Sequence, residues 1–71
     1  MFPTPDEIRE YAEIELAYMK AHGFDHGEIE LFFPQYATKV RVIVRNGKLE
    51  YAKVTEHPKG ILPNISLKPM S

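Results

Sequence analysis

The chain has no cysteine among its 71 residues, which removes disulfides and thiolate zinc sites in one step. No apolar run approaches the ~18 residues of a membrane-spanning helix. The only serines are Ser66 and Ser71; neither sits in the glycine-flanked elbow of a serine hydrolase, and no glycine-rich loop is present to cradle a phosphate. The opening "MFPTPDEIRE" has neither the basic start nor the apolar stretch of a secretory signal. These absences set an expectation: a cytoplasmic, non-enzymatic protein with no cofactor and no metal, acting away from membranes.

A chain this short makes one domain, which buries only about 60% of the surface it exposes when unfolded. Domains of this size are usually reinforced by disulfides, a metal or a second subunit. With the first two set aside, good packing or self-association is what remains. The apolar share of 44% is that of a folded chain and not of a disordered one. The net charge of −1 averages over a marked polarity. Residues 1–30 carry eight acids against Arg9 and Lys20, a net −6, and residues 31–71 carry seven bases against Glu50 and Glu56, a net +5. Such a split points to an electrically polar domain, a partner of one sign, or association with itself.

"TPDE" at 4–7 reads as a helix start: Thr4 as N-cap, Pro5 in the first turn, and Glu7 where a capping box needs it. The spacing predicts a helix from about Pro5 to His22, with Ile8, Ala12, Leu16 and Met19 on one face and Tyr11 and Tyr18 beside them. Glu15 projects near the middle of that apolar stripe. Three strands are predicted next, from "EIELFF", "TKVRVIVR" and "KLEYAKV", each alternating in polarity. Asn46-Gly47 between the last two is a strong two-residue hairpin signal, because both positions of a type I′ turn need positive φ. A regular ladder from that turn sets Arg45 against Lys48, Val44 against Leu49 and Val42 against Tyr51. The expected fold is α+β: one N-terminal helix packed on a three-stranded antiparallel meander (α-β-β-β) over residues 1–55, with an extended proline-containing tail over 56–71. Pro58, Pro63 and Pro69 bar a regular helix there, yet Ile61, Leu62, Ile65, Leu67 and Met70 are too apolar for a free linker. Ile61, Leu62, Ile65 and Leu67 are therefore the residues expected to dock the tail, on its own sheet or on a partner subunit.

Four places invite a functional reading. "AHGFDHGE" at 21–28 holds His22 and His26 with Asp25 and Glu28, but its spacing straddles a helix end. Gly23 as the left-handed residue after the helix, with Phe24 packing back on Tyr18 or Met19, explains it as a helix stop. Glu15, with Tyr11, Tyr18 or His22 one turn or two away, shows no nucleophile or base pairing, and His57 has still less context. The outer sheet face gathers Lys39, Arg41, Arg45 and Lys48 around Ile43, with Phe32, Ala52 and Val54 beside them, as either a protein interface or a nucleic-acid surface. Glu30 and Glu50 share that face. The tail is the fourth place, able to cover an open sheet edge.

"KAHGF" resembles the helix, glycine-phenylalanine, strand opening of small toxin ribonucleases of the HicA type. The glycine-serine pair and strand histidine of that family are missing, so the resemblance implies no activity here. The expectation is a small accessory protein acting through protein contacts, as a homodimer and with an unidentified protein. The alternatives are a nucleic-acid-binding module using the basic hairpin face, and a small histidine-dependent nuclease or hydrolase.

Overall fold

Thr4 opens the helix as its hydroxyl allows. In the computed structural model, which describes residues 1–68, its Oγ1 accepts from the Glu7 N–H at 3.1 Å, and Glu7 Oε1 accepts from the Thr4 N–H at 3.0 Å. Two backbone donors that no helix can satisfy internally are thereby paired. The helix α1 runs Pro5–Ala21 and ends at His22 in a Schellman turn. The Gly23 N–H donates to Lys20 O (3.0 Å) and the Phe24 N–H to Met19 O (2.9 Å), with Gly23 at φ +82°. Only glycine holds that conformation without steric cost.

An antiparallel sheet follows in sequence order: β1 Gly27–Phe33, β2 Thr38–Arg45, β3 Lys48–Glu56 and β4 Asn64–Ser66. A single 3₁₀ turn, Pro34–Tyr36, joins β1 to β2, with Ala37 left-handed at φ 49°. Asn46 (φ 52°) and Gly47 (φ 70°) close the β2–β3 hairpin and set Arg45 opposite Lys48. The fold is thus the expected α+β arrangement of a helix on an antiparallel meander, with one short strand more. That strand comes from the tail, whose Leu67 N–H donates to Glu50 O (3.1 Å), while Pro63 O accepts from the Val54 N–H (3.0 Å). Pro69 and Met70 lie outside the described residues.

α1 lies over one face of the sheet between β1 and β3. Ile8, Ala12 and Leu16 pack there against Ile29, Phe33, Val40, Val42, Val44, Leu49, Ala52, Val54 and Leu67, all buried. Two expectations are corrected. Val42 faces Ala52 and not Tyr51, because the β2–β3 register slips between Ile43 and Val44 and again between Lys39 and Val40. Each slip is a β-bulge, one extra residue on β3 that resets which side chains point inward. Ala52 and Val54 therefore belong to the core instead of the outer face, and Tyr51 turns outward opposite Ile43. Glu15 does not project into the apolar stripe; it is exposed, because the buried arc of α1 is narrow and centred on Ile8, Ala12 and Leu16. Among the described residues no helix is long and apolar enough to cross a membrane.

Candidate functional site

The outer sheet face is built on the residues of β2 that alternate away from the core: Lys39, Arg41, Ile43 and Arg45. β1 adds Glu28, Glu30 and Phe32 to it, and β3 adds Tyr51 and Lys53. Its charges are largely matched within the face. Arg41 bridges two acids of β1, Nη2 lying 3.2 Å from Glu30 Oε1 and Nε 3.3 Å from Glu28 Oε1. The second contact lacks hydrogen-bond alignment, and Nε, closed off from solvent, has no other partner among the described residues. Arg45 Nε lies 3.6 Å from Glu50 and Lys39 Nζ 3.6 Å from Glu56. Exposed pairs like these add little stability, yet they cancel the positive potential that an anionic backbone would need. Lys48 and Lys53 have no ion pair among the described residues.

The histidines are held by local contacts. His22 Nδ1 lies 2.8 Å from the Tyr18 carbonyl and so carries a proton toward it at the helix end. His26 Nδ1 lies 2.9 Å from Asp25 Oδ1, and that contact holds the Asp25 carboxyl below its usual range. His57 stacks on Phe2 with ring centroids 4.2 Å apart. Its Nδ1 accepts the Lys59 N–H, which assigns the ring proton to Nε2, 3.1 Å from Met1 O. Among the described residues no three histidine, aspartate or glutamate side chains are grouped to hold a metal.

The tail residues divide. Leu67 is 2% exposed and Ile65 packs against the core, whereas Ile61 and Leu62 are more than half exposed. β4 covers the edge of β3, and it is only three residues long and follows Pro63. Shortness and proline are two devices by which edge strands avoid further pairing.

The opposite edge is left otherwise. β1 is seven residues long, regular, and free of lysine, proline and bulge. Beside it α1 exposes an apolar stripe of Tyr11 (49%), Ile14 (55%) and Tyr18 (62%), spaced i, i+3, i+7 on one side of the helix. Tyr11 sets its ring edge-on to Phe33, centroids 5.8 Å apart and planes at 74°, so the stripe runs into the strand. The sequence reading placed these tyrosines beside the core stripe and missed Ile14. The signal was present: a second apolar arc in a 17-residue helix that has only one sheet to pack on. Comparisons with protein-family models, with curated proteins and with solved structures give no match to this chain.

Proposed function

We propose that the chain is a protein-binding module that engages its partner along the β1 flank. What carries this reading is the unequal treatment of the two sheet edges among the described residues: one is capped by β4, and the other is open beside the Tyr11, Ile14, Tyr18 stripe. An open strand offers a row of backbone donors and acceptors to an added strand. Aromatic side chains next to it supply apolar area with few rotamers to freeze, which is why they anchor interfaces. A nucleic-acid role for Lys39, Arg41, Arg45 and Lys48 has weaker support, since three of those four cations already have a carboxylate within 3.6 Å.

The test is a photo-crosslinking residue placed at Ile14 and, separately, at Lys53 on the outer sheet face, in cells that make the protein. Discrete protein adducts from position 14 and few from position 53 are expected. Adducts from position 53 alone would move the interface to the outer face. Amide shifts on residues 39–54 with added oligonucleotide, reversed by salt as counterion release requires, would replace the reading with a nucleic-acid one.

A further inference from the structure

We infer that the occupant of the β1 flank is a second copy of this chain, paired β1 to β1 about a two-fold axis that passes through Leu31. This deepens the protein-binding reading and rests on it. The backbone geometry defines the free edge. On β3, Glu50 O and Val54 N point toward the tail. Hydrogen-bonding direction alternates along antiparallel strands, so Tyr51 and Lys53 bond toward β2, and Val40, Val42 and Val44 bond toward β1. Ile29, Leu31 and Phe33, opposite Val42, Val40 and Thr38, then bond toward β2. The N–H and C=O groups of Glu28, Glu30 and Phe32 are left on the open edge.

Two-fold antiparallel pairing of a strand with itself keeps inner faces aligned and sets one residue opposite its own copy. Three registers overlap by five residues or more within β1. An axis at Glu30 sets Glu30 against its copy, and an axis at Ile29 sets Glu28 against Glu30. Like charges directly opposite are destabilising. An axis at Leu31 avoids both: Leu31 meets Leu31 and Ile29 meets Phe33 on the helix side, while Glu30 meets Phe32 on the outer side. That register pairs every apolar residue of the helix-side row with another.

The helix layer fits the same axis. Strands are spaced ~4.8 Å apart, and α1 contacts β1 and β3, which flank β2 in the sheet, so it spans that strand. Its axis is then about one and a half spacings from the two-fold, and the two helices lie ~14 Å apart. Helices in direct contact sit at ~8–10 Å, so the slot between them needs large side chains. Tyr11 and Tyr18 from each copy, half exposed in the single chain, are of that size. The charges also favour a like partner: Arg41 already holds Glu28 and Glu30, so the edge makes no demand for a basic one. Stable interfaces take about 800 Å² from each side, about one sixth of this chain's 4988 Å².

The absence of native cysteine makes the test clean. Sedimentation of the unaltered protein from micromolar to millimolar concentration should show a species of twice 8.2 kDa. Leu31 is part-buried and faces its copy as a non-hydrogen-bonded pair, with Cα atoms ~4.5 Å apart, inside the range a disulfide spans. Leu31→Cys should therefore oxidise to a covalent dimer. Glu30→Cys, offset from its copy by a diagonal of ~7–8 Å, should do so roughly tenfold more slowly. Tyr18→Glu should leave the fold intact and shift sedimentation to the monomer, which keeps the proposal testable if Leu31→Cys does not fold. A monomer at every concentration, or equal cross-linking at 30 and 31, overturns the two-fold. A monomer whose Ile14 photo-adduct is another protein overturns self-pairing and leaves the binding role standing; a monomer with no adduct removes both.

Discussion

Substituting Leu67 with alanine tests whether the tail is part of the core. The side chain is 2% exposed and packs in the main apolar cluster, eleven residues beyond the end of β3. Its backbone is held independently, by the N–H to Glu50 O at 3.1 Å and by Arg9 Nη1 donating to Leu67 O at 3.3 Å, so the substitution removes packing alone. Buried leucine-to-alanine changes cost about 2–5 kcal/mol, the higher values where the cavity cannot relax. Here the vacated space adjoins an open groove between α1 and β3, bordered by Arg9, Lys20 and Lys48. Water and those long side chains can enter it, which sets the expectation in the lower part of the range, about 2–3 kcal/mol. A domain this size has about 4–10 kcal/mol in total. The melting temperature should fall by about 10–20 °C, and the urea midpoint should fall with an unchanged slope, at fixed protein concentration. Ile61→Ala, at a residue 56% exposed, should change stability by less than about 0.5 kcal/mol. A loss below about 1 kcal/mol at Leu67, or equal losses at both positions, would refute the assignment of the tail to the core.

The Tyr36 hydroxyl donates to both Glu7 carboxylate oxygens at 2.9 Å, tying the 3₁₀ turn to the helix start. The Thr4 backbone N–H first and the Tyr36 hydroxyl second hold the Glu7 carboxyl below its ordinary value. Its stabilising effect is therefore present above that ordinary value and is lost as pH falls through the depressed one. In Tyr36→Phe, carboxyl NMR titration should show Glu7 moving up but remaining depressed by Thr4; an unmoved Glu7 would refute the coupling. Thr4→Ala should cost about 1 kcal/mol in urea unfolding, as loss of an N-cap does. Gly23→Ala, at φ +82°, should cost about 1–2 kcal/mol for a left-handed alanine, although nothing lies within 4 Å of the added methyl. No loss there would mean that the helix end can be remade.

The helix and its two ends were legible because capping residues act locally: Thr4, Pro5 and Glu7 at one end and Gly23 at the other need no tertiary partner to declare themselves. The hairpin was legible for the same reason, since Asn46 and Gly47 carry positive φ in their residue types. β4 was not, because three residues between prolines have no periodicity to read; the apolarity of Ile61, Leu62, Ile65, Leu67 and Met70 was the sign that this segment docks, and it did not separate the buried Leu67 from the exposed Ile61 and Leu62.

The two bulges of β3 were hidden from a reading that assumed a regular ladder, and they changed the functional picture most. Counting evenly from the turn puts Ala52 and Val54 on the outer face. The structure counts one extra residue after Leu49 and another after Val54. One trace was in the sequence: inward apolar residues fall at 49, 52 and 54, a spacing of three and then two, and a spacing of three in a strand marks an inserted residue. The consequence is electrostatic as well as steric. The second bulge sets Glu56 opposite Lys39, where the regular continuation from Val54 would set Thr55, and so gives Lys39 its carboxylate. The first turns the phenol of Tyr51 outward beside Ile43. Of the cations on that face, Lys39 owes its carboxylate to a bulge, whereas Arg41 is matched by Glu28 and Glu30 of the regular β1 and Arg45 by Glu50. With those cations matched, the β1 edge is the surface with no bulge, lysine or proline to turn a partner away.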